Sequence, residues 1–319
     1  MSTTSSENPD HRSGYVGIFG RPNTGKSTLL NQILGEKVSI MSRKAQTTRN
    51  RVVGIHNTET LQMVLVDTPG HHKATSSLNK AIVREIESTL KEVDAVLLMV
   101  DLVPAVSQAQ RGKDVLSAGE QVLLELCKKA GVPIVLGLNK VDLVDAVWSL
   151  PVIDAWKDQA EFHAVIPTSA LKGTGVDDLM DSLSALMPQG PAYFPKDQML
   201  DGTEKFVVSE LIREKLFHLL DQELPYSIAV QVEQFDEEQR DGAKPRVHIM
   251  ARILVERPSQ KGIVIGKGGL MLKRIGTMAR KDIIKLLGCS VHLELHVSCQ
   301  PKWSENPRIL RELGLSTRK

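Results

Sequence analysis

The stretch GRPNTGKST, residues 20–28, sets a glycine, four residues, and then Gly-Lys-Ser. That spacing suits the gripping of a polyphosphate. Gly20 and Gly25 allow backbone N–H groups to turn toward phosphate oxygens. Lys26 has the reach and charge for the outer phosphates, and the Ser27 hydroxyl is a ligand type for Mg²⁺. Arg21, Pro22, Asn23, Thr24 and Thr28 complete the candidate nucleotide loop. Further on, DTPG places Asp67 at the end of the apolar run LQMVLV. Its carboxylate is suited to hold Mg²⁺ through water, and Thr68, Pro69 and Gly70 then bring a backbone N–H to a γ-phosphate. Between the two motifs, SRKAQTTRNRVVG carries Thr47, Thr48 and Arg49. Thr48 is the preferred candidate to complete the metal shell while a γ-phosphate is present and to let go after its loss. Lys26, Thr48 and Gly70 are therefore the candidate catalytic groups. His71 comes next, where many phosphate-cleaving enzymes place a group that orients water. It is read either as that group or as a loop residue like its neighbours His72 and Lys73.

NKVD follows the apolar run VPIVLGL. Asn139 is suited to the purine edge and Lys140 to lying along the base. Asp142 can accept from the N1–H and N2–H₂ groups that guanine offers and adenine lacks. Facing adenine, that carboxylate would be left unpaired, so selectivity for guanine should be strong. AVIPTSA ends in Ser169 and Ala170. They either close over the base through backbone groups, or Ser169 caps the next helix.

Residues so far apart in sequence need a sheet to gather them. YVGIFG (15–20), LQMVLV, AVLLMVD (95–101), VPIVLGL and AVIPTSA read as strands. LLNQILG and residues 76–90 and 119–130 have helical spacing. The alternation predicts an α/β fold with a doubly wound, mostly parallel sheet of the P-loop NTPase type, helices on both faces, and ligand loops at the carboxyl ends of the strands. This domain is expected over 14–187, after a disordered stretch 1–13 of polar composition.

Residues 188–204 carry prolines and a glycine and read as a linker. The pattern then changes. KFVVSELIREKLFHLL (205–220) reads as an amphipathic helix, SIAVQVEQF and VHIMARILVER as paired strands around an acidic turn, and VHLELHVS as a last strand. VIGKGG sits between two helical runs. G-x-x-G in that setting is the clamp of KH domains, which grips the backbone of about four nucleotides. The candidate RNA contacts are Ile265, Gly266, Lys267, Gly268, Gly269, Lys273, Arg274, Arg280 and Lys281. From Gln260 to Lys285 there are seven lysines and arginines and a single acid, Asp282. Leu272, Ile275, Ala279 and Ile283 form the expected buried face of the second helix. Trp303 either stacks on RNA or packs the tail, which spans 301–319 after a domain at 205–300.

The 319-residue chain has a hydrophobic fraction of 41%, a charged fraction of 24% and a net charge of +2. That is an ordinary globular composition, and its near-neutrality hides the local basic cluster. Cys127, Cys289 and Cys299 fit no metal spacing and no paired framework, which suits a reducing cytosol. No run approaches the ~18 apolar residues of a membrane span, and the N-terminus has no signal-peptide core.

GRPNTGKST, QTTR, DTPG, NKVD and TSA, followed by a proline-rich linker, IREKLF, VIGKGG, RIGTMARKDI and VHLELHV, resemble Era-type bacterial GTPases from residue 15 to about 315. The resemblance implies a Ras-like GTPase domain joined to a type II KH domain. It implies slow Mg²⁺-dependent hydrolysis of GTP to GDP, and binding of the 3′ end of 16S rRNA during maturation of the small (30S) ribosomal subunit. A cytoplasmic monomer, peripheral contact with the inner membrane and a potassium ion at Asn23 are implied as well. The chain departs at His71, where Era-type chains usually carry an apolar residue. The rival expectation is a GTP-sensing docking switch for a protein or membrane partner, without RNA-coupled turnover.

Overall fold

The structure is a computed structural model and describes residues 10–36, 52–68, 86–199, 204–220, 224–238, 245–303, 306, 308–309 and 313. They fall into two compact units, divided near residue 201. In the first, the strands are β1 (Arg12–Gly20), β2 (Val52–Asn57), β3 (Leu61–Asp67), β4 (Ala95–Asp101), β5 (Ile134–Asn139) and β6 (Ala164–Thr168). Their order is β2-β3-β1-β4-β5-β6. Every pairing is parallel except β2 with β3. β3 is buried at every residue, as a strand covered on both faces must be. Helices α1 (Lys26–Leu34), α2 (Leu102–Ala109), α3 (Ala118–Ala130), α4 (Ala146–Lys157) and α5 (Val176–Ala185) belong to this unit. One core cluster gathers Phe19, Leu98, Leu136, Leu138 and Trp156. Cys127 lies within it, where burial pushes its thiol pKa up to about 12. The carboxyl ends of β1, β3, β4, β5 and β6 carry Gly20, Asp67, Asp101, Asn139 and Thr168. Five loops thus converge on one edge of the sheet, as the alternation predicts.

β1 starts at Arg12, inside the stretch expected to lack structure. Burial and hydrogen bonding overcome the polar composition there. Arg12 Nη1 donates to the carbonyls of Ala185 and Met187, and the Ser13 hydroxyl donates to Pro191 O at 2.6 Å.

The expected linker is tied down as far as Met199. Gln62, wholly buried in β3, donates from Nε2 to Phe194 O and Asn57 Oδ1, both at 2.8 Å. Its Oε1 accepts from Tyr193 N at 2.6 Å and Phe194 N at 2.9 Å. Asn57 Nδ2 donates to Gln198 O, and Ile55 N to Met199 O, on the open side of the edge strand β2. Backbone groups that an extended proline-rich segment cannot pair internally are paired with the sheet instead.

The second unit runs α6 (Glu204–Leu219), β7 (Ala229–Glu238), β8 (Arg246–Val255), α7 (Pro258–Ile265), α8 (Leu270–Leu287) and β9 (Ser290–Cys299). β7 pairs antiparallel with β8, and β8 parallel with β9. The acidic residues Asp236, Glu237 and Glu238 belong to β7 and not to the turn, because Glu238 stays in register with Arg246. α6 is buried through Leu211–Phe217 and lacks the open polar face of a simple amphipathic helix. Its buried charges are paired: Lys215 meets Glu214 and Asp282, and Arg213 meets Glu210 and lies over the Phe217 ring. Pairing is what makes burial of such groups tolerable. Ile275, Ala279 and Ile283 of α8 pack into the core with Val208, Leu216, Ile249 and Ile253.

Candidate functional site

The phosphate loop joins β1 to α1. Gly25 lies at φ 103°, and a Cβ there would stand 2.1 Å from Asn139 Nδ2. Gly25 is thus required both by its backbone angle and by the residue that crosses above it. A Cβ on Gly20 would meet Met99 O at 2.5 Å. Asn23 adopts φ 64° within the same loop. Lys26 Nζ donates to Gly20 O and Arg21 O, both at 3.1 Å, so it curls into the concavity that its own loop encloses. Burial pushes its pKa down from the ordinary 10.5, and the Asp67 carboxylate opposes that shift. Ser27 Oγ donates to Asp67 Oδ2 at 2.8 Å. A hydroxyl and a carboxylate side by side beside a lysine form an all-oxygen donor set suited to Mg²⁺. Thr68 anchors the following turn through Oγ1 to Ile18 O at 2.9 Å. Pro69, Gly70, His71 and Thr48 lie outside the described residues, as do Thr47 and Arg49.

The base-side residues are interlocked. Asn139 Nδ2 donates to Thr24 O at 2.7 Å, while its Oδ1 accepts from Ala170 N at 2.9 Å. The residue read as a purine contact is thus also the strut joining the phosphate loop to the loop after β6, with one amide hydrogen left for a base. The Ala170 N–H, one of the backbone groups expected to close over the base, is spent on Asn139. Ser169 Oγ accepts from Lys172 N, so it caps a tight turn, and Gly175 stands at the N-cap of α5. Lys140 sits at φ 71°, and its Nζ donates to Asp101 Oδ2. Asp142 is exposed in a single turn of 3-10 helix, Val141–Leu143. Arg21 reaches away from the loop and donates to Ser117 Oγ, the N-cap of α3.

In the second unit, α7 ends at Ile265 and Gly266 turns the chain at φ 72°. A Cβ on Gly266 would lie 2.6 Å from Met271 Cβ, so the turn into α8 admits only glycine. Gly268 (φ 59°) and Gly269 (φ 79°) also hold positive angles, with open space where side chains would stand. Lys267 is exposed at the tip. Lys273, Arg274, Arg280 and Lys281 are exposed on α8, on the side away from Ile275, Ala279 and Ile283. Asp282 turns aside to Lys215, which leaves this surface basic. Trp303 is buried against Ala229 and Leu254, and its Nε1 donates to Ser227 O at 2.9 Å. Of its two readings, the structure takes packing.

Sequence reasoning missed Asp101, Gln62 and Ser117. A lone polar residue in an otherwise apolar strand was the available signal for Gln62. Asp101 ends its strand as Asp67 does, and that position was the signal for it. Among the described residues no three or more His, Cys, Asp or Glu groups converge to hold a metal ion, and no helix is long and apolar enough to cross a membrane.

A guanine-selective phosphate pocket followed by a GxxG turn defines a P-loop GTPase carrying a KH domain. Residues 15–140 match the family of 50S ribosome-binding GTPases, and residues 223–304 match the KH domain. The chain is similar to a variant of Aquifex aeolicus Era bound to GDP and aluminium fluoride, with 35% identity and a TM-score of 0.86 over 96% of this chain and 100% of that one. It is similar in the same degree to Era in complex with MgGDPNP and nucleotides 1506–1542 of 16S ribosomal RNA, with 35% identity, a TM-score of 0.85 and the same coverage. The chain belongs to the Era family of GTPases, and its activity is the hydrolysis of GTP.

Proposed function

We propose that this GTPase binds the 3′ region of 16S rRNA through its GKGG turn and basic α8, and that the nucleotide state and RNA binding are linked in the service of small-subunit maturation. The carrying observation is the exposed basic surface of α8 and Lys267 beside a turn whose glycines hold positive φ. Backbone donors, an adjoining helix N-terminus and unshielded cations suit a ribose-phosphate chain. The solved Era complex with a 16S segment supports the same reading.

At the nucleotide, Ser27, and Asp67 through water, would hold Mg²⁺, with Thr48 completing the set when GTP is bound. The ion would supply charge neutralisation at the outer phosphate oxygens. Lys26 exchanges its carbonyl partners for phosphate oxygens, Gly70 offers its N–H, and Asp142 reads the guanine edge. Chemistry is then mainly positioning and charge neutralisation. His71 is read as a loop residue that leaves the attacking water to backbone groups. Potassium at Asn23, peripheral contact with the inner membrane, a cytoplasmic setting and a monomeric state rest on the family resemblance.

The test measures GTP turnover and affinity with and without an oligonucleotide of the 16S 3′ end. RNA should bind and alter at least one of these quantities, because coupling between two ligands is reciprocal. Lys267→Glu should weaken binding and lower the salt slope by about one. RNA that binds without effect on either quantity would refute the linkage, and an unchanged slope would remove Lys267 and its turn from the interface.

A further inference from the structure

Lys140 of the guanine motif is held from outside the motif. Its Nζ lies 2.5 Å from Asp101 Oδ2, and the two side chains are only 28% and 17% exposed. Asp101 is the last residue of β4 and pairs in parallel register with Asn139 of β5. It therefore sits beside the motif at the carboxyl edge of the sheet. Each of its oxygens has a partner: Oδ1 accepts from Val103 N at 3.0 Å and caps α2, while Oδ2 takes the lysine. Lys140 itself occupies the left-handed region, which a lysine leaves readily unless something holds it. A free lysine side chain also samples many rotamers, and fixing it in advance removes that cost from the binding step.

We infer that Asp101 is a positioning residue of the nucleotide pocket: it holds the Lys140 side chain ready against the incoming guanine nucleotide, and so sets affinity without touching the ligand. This rests on the GTPase reading. It makes a demand that capping of α2 alone does not. Asn and Ser both cap helices well, so either substitution keeps the Val103 contact. Neither supplies the charge that fixes the lysine.

The experiment measures GDP, IDP and ADP affinities, and KM and kcat for GTP, in wild type, Asp101→Asn, Asp101→Ser, Lys140→Gln and the double variant Asp101→Asn/Lys140→Gln. Asp101→Asn and Asp101→Ser should each weaken GDP binding about tenfold and raise KM to match, with kcat at saturation within about twofold. The GDP-to-IDP ratio should hold, because the exocyclic amino group is read by Asp142. In the Lys140→Gln background the change at Asp101 should have no further effect. Wild-type affinity in both Asp101 variants would leave it only a helix cap. Additive losses in the double variant, or a collapsed GDP-to-IDP ratio, would equally overturn the inference. A wild type that failed to prefer GDP over ADP would instead strike at the reading of the pocket itself, so the two failures are distinguishable.

Discussion

Gln62→Leu tests how the nucleotide domain holds the chain that leaves it. The substitution keeps the apolar bulk of a fully buried side chain and deletes all four of its hydrogen bonds. Two outcomes compete. With residues 193–194 still in place, the Tyr193 and Phe194 N–H groups lose their acceptor, at about 1–3 kcal/mol each. If the segment lifts off, water satisfies those groups, and the loss is the net worth of its docking bonds, about 0.5–1.5 kcal/mol each. Lifting is the cheaper route, so a loss of about 2–4 kcal/mol should fall on the linker while the sheet stays closed. Amide exchange at Tyr193 and Phe194 should then quicken by roughly 30- to 1000-fold, with strands β1, β3 and β4 nearly unchanged. The β2–β3 hairpin lies in sequence between Thr48 and Gly70, the groups read as facing the γ-phosphate, so any effect of RNA on GTP turnover should shrink toward the RNA-free rate. Basal turnover should stay within about twofold. Unchanged exchange at 193–194, or faster exchange spread evenly over the sheet, would refute the reasoning.

Gly25→Ala places a Cβ 2.1 Å from Asn139 Nδ2 at a φ of 103°. The strain of about 1–3 kcal/mol should break the tie to Thr24 and lower GDP affinity on the order of tenfold or more, measured by calorimetry. Lys26 has a pKa lowered by burial, and bound phosphates favour its charged form. GDP binding should therefore take up a proton between that lowered value and the ordinary 10.5, and affinity should fall as pH rises through the lowered value. Calorimetry in two buffers of different ionisation enthalpy reads the uptake, and its absence would contradict the assignment. Trp303→Leu should cost about 1–3 kcal/mol in thermal unfolding through the lost volume and the lost bond to Ser227, with RNA affinity unchanged. A matching fall in RNA affinity would return Trp303 to the interface.

Strands β1, β3, β4 and β5 were legible because each is an apolar run largely buried within the sheet, whereas the edge strand β2, VVGIHN, is only partly buried and its first residues fall in the stretch read as a loop. The phosphate loop was legible because its chemistry is local: glycine angles, one lysine and one serine within eight residues. The GKGG turn was legible for the same reason, since Gly266 answers to Met271 five residues on. α6 was read correctly as a helix and incorrectly as amphipathic. Its periodicity marks charged residues as outward, and only a partner such as Asp282, 67 positions beyond Lys215, makes their burial possible.

By itself, then, the sequence determined the element types, the phosphate and guanine motifs, the GxxG turn and the family. Each depends on residues near one another in the chain. Only the tertiary structure decided that Asn139 is a strut between the phosphate loop and the loop after β6, that Asp101 holds Lys140, that Gln62 fastens the linker, and that Trp303 is core. Those roles arise where the fold brings residues distant in sequence together, and the physical reason is shared. A buried polar group must be satisfied by whatever the fold places beside it, and one-dimensional spacing does not carry that identity.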